Sequence, residues 1–166
     1  PLRGQKITPY EGGIRVPMLV KVPGMTKAGT VCDAPVIIED IYPTILSLAS
    51  ATELVEHKET VDGRDFSPLL KGKKSMDKNR SFFWHYPHIY DINDPYSVIR
   101  KGDWKLIWHQ RAELFNLKED IGETTDLIEK EPAKAEALQK ELREYLQSVN
   151  ASIPFSKSTN EVLGLP

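Results

Sequence analysis

One cysteine, Cys32, is all that the sequence holds, so no disulfide can close within the chain and cysteine usage leaves the redox compartment open. No apolar run approaches the roughly 18 residues that a membrane span needs. A net charge of −2 without any long basic run gives nothing that favours nucleic acid. No internal repeat, low-complexity tract or signal peptide is visible, and the first residue is proline rather than methionine, so we expect an upstream portion. Metal-ligand spacings are also scarce. His85 and His88 form an H-x-x-H pair, but on a strand running into Tyr86-Pro87 they point to opposite sides. No cysteine or third histidine stands at ligand spacing, which argues against zinc. Asp91 and Asp94 lack the spacing and glycine of an EF-hand and read as a turn.

What is present concentrates at the beginning. Residues 1–17 place cations and glycines in one short segment ahead of an apolar run. Lys6 follows Gly4 in a loop, and Gly12-Gly13 lets the backbone turn sharply. Fixed cations on such a loop suit an oxyanion: sulfate, phosphate or carboxylate. Lys6 is the residue best placed to hold it. Arg3 and Arg15 read as structural cations, with Glu11 as an ion-pair partner for one of them.

The patterning predicts an α/β chain in two parts, residues 1–72 and 81–166, joined by a charged, lysine-rich linker over 72–80. In the first part, Val16 to Val22 reads as a buried strand that Pro23-Gly24 ends. Asp40 is placed to cap a helix with Pro43 in its first turn and Ile41, Ile45, Leu48 and Ala49 on one face. Ser67 to Leu70 is a one-turn helix with serine at the cap. In the second part, Ser81 to Tyr86 reads as a strand. Tyr96–Arg100 and Trp104–His109 form a hairpin around Lys101-Gly102-Asp103, and Glu113 to Leu117 is another strand. Pro132 opens a final helix. On it Ala135, Leu138, Leu142, Tyr145, Leu146 and Val149 recur at helical spacing and should lie on the sheet. The tail from Pro154 to Pro166 is expected to be poorly ordered unless docked. Asn150-Ala151-Ser152 is a glycosylation acceptor pattern, relevant only in a eukaryotic secretory route.

The same residues resemble a family. LRGQK…YEGGIRVP, over Leu2–Pro17, is similar to the LRGGK…YEGGIRVP segment of the type I sulfatases, which hydrolyse sulfate esters on an alkaline-phosphatase-like fold. Further matches follow in the family's order: Ala34 to Thr44, Asp62 to Leu70, Phe83 to His88, Ile99 to Ile107, and Glu113 to Leu127. The resemblance spans nearly the whole chain. Gln5 stands where the family often has a second glycine.

That resemblance implies the C-terminal part of a sulfatase: an end portion of the catalytic α/β domain over 1–72, then a small antiparallel sheet packed by a helix. It implies that Lys6 contacts the sulfate and that Arg3 helps hold the loop. It also implies that the C-terminal lobe closes one side of the substrate pocket, where His85 and His88, helped by Trp84 and Tyr86, would touch the sugar of a sulfated glycan. Family members use calcium and a formylglycine made from Cys or Ser in C/S-x-P/A-x-R, both upstream of the matching segment. Cys32 has Ala34 two residues on, but Val36 rather than Arg four on, so the motif is not completed. No metal or cofactor is therefore expected on this chain itself, and by itself it should be inactive. A periplasmic, secreted or lysosomal location follows by the same resemblance. Two other readings stand beside it: a related phosphate or phosphonate ester hydrolase, and a non-catalytic glycan-binding module.

Overall fold

The structure is a computed structural model that describes residues 1–54, 61–73, 76–77, 79–88, 94–109, 111–154, 164 and 166. The elements in chain order are α1 (Glu11–Ile14), α2 (Ile41–Leu48), α3 (Ser67–Leu70), β1 (Ser81–Tyr86), β2 (Tyr96–Lys101), β3 (Trp104–Trp108), β4 (Ala112–Asn116) and α4 (Pro132–Ser148). Short 3-10 turns precede α2 and follow it, at Ile38–Asp40 and Thr52–Leu54. The chain divides into two compact units, Pro1–Val16 with Asn79–Pro166, and Pro17–Lys78. The first sixteen residues thus join the later part of the chain, where the sequence pattern grouped them with residues 17–72. The reason is a set of buried ion pairs to the sheet, described below.

In the unit Pro17–Lys78, the expected strand does not form. Residues 16–22 have no regular structure. Val16, Leu19 and Val31 are exposed, Leu19 almost completely at 95%. A strand needs a neighbour to take its backbone donors and acceptors, and no strand is present among the described residues of this unit. The expected helices form, with two changes of detail at their caps: Ser67 is the first residue of α3, whose N-cap position falls to Phe66, and the other change is at Asp40. Asp40 is fully buried, but its carboxylate accepts from the Ile37 and Arg64 backbone N–H groups at 3.0 and 2.7 Å rather than capping α2. Thr44 Oγ1 in turn accepts the Phe66 N–H at 2.9 Å, and Asp65 takes both the N–H and the hydroxyl of Ser67. The segment 62–67 is thereby sewn to the start of α2. Ile38, Ile41, Tyr42 and Ile45 remain exposed on α2 and the turn before it.

The other unit is an antiparallel meander in the order β1-β2-β3-β4. Gly102, at φ +58°, makes the tight β2–β3 turn, after which Lys101 pairs with Trp104. One sheet face carries Ile99, Leu106 and Leu114, on which Ala135, Leu138, Leu142 and Leu146 of α4 pack. The apolar stripe of α4 is narrower than its sequence spacing implies. Tyr145 stacks on Phe83 at 3.8 Å beside the main core, and Val149 is half-exposed. The opposite face carries Val98, Ile107, Phe115 and a fully buried charged side chain, Lys105. It is covered by the N-terminal segment, whose Tyr10 meets Phe115 edge-on at 6.4 Å. The expected turn at Asp91 and most of the expected terminal tail lie outside the described residues.

Candidate functional site

The Lys6 loop is held by backbone contacts that only small residues permit. Gly4 takes φ +76°, and the Gly12 N–H donates to the Arg3 carbonyl at 2.7 Å. Thr8 folds back on Gln5 through three hydrogen bonds. Its N–H and its hydroxyl both donate to the Gln5 carbonyl, at 3.0 and 2.7 Å, while its Oγ1 accepts the Gln5 N–H at 3.1 Å. A Cβ at Gly12 would run into the Gly4 and Arg3 carbonyls, and one at Gly13 into those of Thr8 and Gln5. The double glycine therefore serves close approach of α1 to the loop, rather than left-handed backbone. Ile7, next to Lys6, is held at φ +86°, a conformation that costs a β-branched residue of order 1–3 kcal/mol and persists only where the surroundings over-determine it. Lys6 itself is exposed and pairs with no carboxylate among the described residues.

Its neighbouring cations are all engaged. Arg3 lies over the Tyr10 ring at 3.8 Å and donates to the Glu123 carbonyl at 2.9 Å. Arg15 Nε pairs with Glu11 Oε2 at 2.8 Å. Glu11 thus partners Arg15, not Arg3, and its other oxygen takes Lys105 Nζ at 3.0 Å. Lys105 also pairs with Glu123 Oε1 at 2.8 Å, and Glu123 Oε2 accepts the Glu11 N–H at 2.6 Å. Burial pushes the Glu11 carboxyl up, but the charge of Lys105 and the hydrogen bonds from Arg15 and Lys105 outweigh it and hold it below its usual value.

A second cluster joins the same segment to β4. The Tyr10 hydroxyl donates to Glu113 Oε2 at 2.7 Å, and His109 Nε2 lies 3.2 Å from that oxygen. Burial, the hydrogen bond to Glu113 and that residue's charge push the Tyr10 phenol up to about 12. The sign of the linkage follows. Below pH 10 both folded and unfolded chains keep this proton; between about 10 and 12 only the folded chain does, so stability is lost across that window as pH rises. Tyr10→Phe should flatten the pH dependence of the thermal midpoint there, as followed by circular dichroism. An unchanged slope would show that another group drives it.

The two histidines differ. His85 Nε2 lies 2.8 Å from the Ser152 carbonyl and Nδ1 2.9 Å from Ser97 Oγ. A carbonyl only accepts, so Nε2 carries the proton and both ring nitrogens are used within the chain. His85 ties β1 to β2 and to the segment after α4; the structure does not offer it to a ligand. His88 is exposed, edge-on to Tyr86 at 5.5 Å. Tyr86 stacks on Tyr96 at 5.5 Å, and Trp84 packs against the Val98–Ile107 core. No three metal-ligating side chains come together among the described residues, and none of their helices is long and apolar enough to cross a membrane.

A family model described as N-sulphoglucosamine sulphohydrolase, C-terminal, matches residues 5–152. A sulfatase of Formosa agariphila is 35% identical over 167 residues, 91% of this chain and 30% of its own length. Arylsulfatase K of Gallus gallus is 32% identical over 83% of this chain and 27% of its own, and human steryl-sulfatase 40% identical over 53% and 15%. Among solved structures, Ps i-CgsB in complex with k-i-k-neocarrahexaose superposes with a TM-score of 0.75 at 29% identity, covering 87% of this chain and 32% of that one. BT4656 in complex with its substrate D-Glucosamine-2-N, 6-O-disulfate shares the fold, with a TM-score of 0.53 at 22% identity over 69% of this chain and 24% of that one. The chain spans less than a third of the length of each of these proteins. With most of its residues matched by the family model and by a relative of this identity, the chain belongs to the sulfatase family, as its C-terminal portion.

Proposed function

We propose that this chain completes the active site of a full-length sulfatase by presenting Lys6 to the sulfuryl group of a sulfate monoester. The observation that carries the reading is a contrast. Arg3, Arg15, Arg100 and Lys105 all have acidic or carbonyl partners around a rigid loop, whereas Lys6, on that loop, has no carboxylate partner among the described residues. An ammonium carried without a counterion on a braced loop can receive the charge that builds up on sulfuryl oxygens and on the leaving alkoxide.

Calcium and formylglycine would come from elsewhere in the full-length protein. The acidic residues against the loop segment are already committed, Glu11 and Glu123 to Lys105 and backbone and Glu113 to Tyr10, and no C/S-x-P/A-x-R sequence occurs here. We assign residues 17–72 to the edge of the catalytic α/β domain. The exposed apolar side chains of Leu19, Val31, Ile38 and Ile45 would be covered there, and residues 18–22 would find a strand to pair with. The lobe 81–166 would shape the pocket, with His88 as its contact to substrate and His85 supporting β1. A sulfated glycan is the substrate class we favour, because the similar structure of Ps i-CgsB that covers 87% of this chain holds an oligosaccharide. A secreted, periplasmic or lysosomal setting accords with such a substrate.

The full-length protein should turn over 4-nitrophenyl sulfate with a higher kcat/KM than 4-nitrophenyl phosphate, while residues 1–166 alone, lacking a nucleophile, turn over neither. A preference for the phosphate would favour the phosphate or phosphonate ester reading. Hydrolysis by the 166 residues alone would overturn the assignment of the nucleophile to the rest of the protein.

A further inference from the structure

The buried charges behind the loop call for an explanation of their own. Lys105 is 0% exposed on the inner strand β3, and such a lysine is tolerated only when well paired. It bridges Glu11, at 3.0 Å, and Glu123, at 2.8 Å, which are themselves 1% and 0% exposed. Arg15 and, more distantly, Arg100 at 3.9 Å complete the charge balance on Glu11. Glu123 sits at φ +52° in a turn tied by Asp120, which accepts the Thr124 and Thr125 N–H groups at 2.7 and 2.8 Å.

What Glu123 grips is informative. Its carbonyl accepts Arg3, at the entrance of the Lys6 loop, and its carboxylate accepts the Glu11 N–H, at the exit. Both ends of the segment that carries Lys6 are therefore held by one residue of the sheet lobe, and Lys105 supplies the positive charge that lets two buried carboxylates share that place. Without Lys105, Glu11 and Glu123 would keep only Arg15 and the distant Arg100 as compensating cations. They would repel each other, or one would take up a proton, and the exit of the loop would shift.

We propose that Lys105 and Glu123 are positioning residues for Lys6: they fix the loop that carries the sulfate-binding ammonium from the sheet face beneath it, without touching substrate. This rests on the reading of Lys6 as the sulfate ligand. A displacement of about 1 Å in such a group can cost up to about 10²-fold in rate.

The test is a double-mutant cycle in the full-length enzyme, with 4-nitrophenyl sulfate as substrate and circular dichroism to confirm that each variant is folded. Lys105→Met should lower kcat/KM by about tenfold or more in the wild-type background. In the Lys6→Ala background it should cost no more than about twofold, because the group it positions is gone. A purely structural contribution would cost the same factor in both backgrounds, and that result would overturn the proposal. So would an unchanged kcat/KM for Lys105→Met where Lys6→Ala is strongly impaired; the reading of Lys6 would then survive alone. If Lys6→Ala is itself unimpaired, that reading fails and this proposal with it. Should Lys105→Met not yield folded protein, Lys105→Met/Glu123→Gln, which removes one buried charge of each sign, takes its place in the same cycle with the same criteria.

Discussion

Lys6→Ala is expected to lower kcat/KM of the full-length enzyme toward an aryl sulfate by about 10²-fold or more, the scale of losing one preorganised contact to developing negative charge. The expectation rests on rigidity as much as on charge. A lysine on a mobile loop would spend much of its interaction energy on being ordered. Here the Gly12 and Gly13 contacts, the two-way Thr8–Gln5 hydrogen bonds and the left-handed Ile7 have set the loop already. Lys6→Arg should restore little, since a planar fork does not occupy the site of a compact ammonium. Steady-state kinetics on both variants check this. Wild-type kinetics for the alanine variant would make Lys6 a surface residue.

The second large effect concerns stability. Leu142 is fully buried in α4, within the cluster that includes Ile99, Leu106 and Leu114. Truncating it leaves a cavity in the apolar layer between helix and sheet, so Leu142→Ala should cost about 2–5 kcal/mol. Lys140, two residues earlier, is exposed and, among the described residues, pairs with Glu144 at 3.9 Å. Lys140→Ala should stay within about 0.5 kcal/mol. Denaturant midpoints of the two variants measure the difference. Because the leucine lies far from the loop, its loss should reduce soluble yield more than the turnover of the folded fraction. Equal midpoints would mean that α4 does not cover the core.

The sheet lobe was legible because its signals are local. Alternating apolar residues, Lys101-Gly102-Asp103 and a stripe at helical spacing each specify an element within a few residues, and β1 to β4 and α4 stand within one or two residues of their expected bounds. The Lys6 loop was legible through its glycines. Of the residues that hold it, Arg3 and Glu11 were legible, whereas Lys105 and Glu123 were not. On a strand, Lys105 between Trp104 and Leu106 reads as solvent-facing, because alternation says which residues share a face but not whether that face is covered. Its partner Glu11 is 94 residues away in sequence. The strand expected over Val16 to Val22 failed for a related reason: apolar content marks a segment that wants burial, while a strand also requires a partner for its backbone. His85 was singled out by residue type, and only its neighbours Ser97 and Ser152 reveal that its ring is already in use.

The covering of the sheet's second face by residues 1–16 bears on how members of this family can be recombined. A graft that exchanges only residues 79–166 between two sulfatases would inherit a buried lysine from one parent and its two carboxylates from different parents. Pro1–Val16 and Asn79–Pro166 form one exchangeable block despite the sixty-odd residues between them. Substitutions at Glu11, Lys105 and Glu123 should accordingly be inherited as a set.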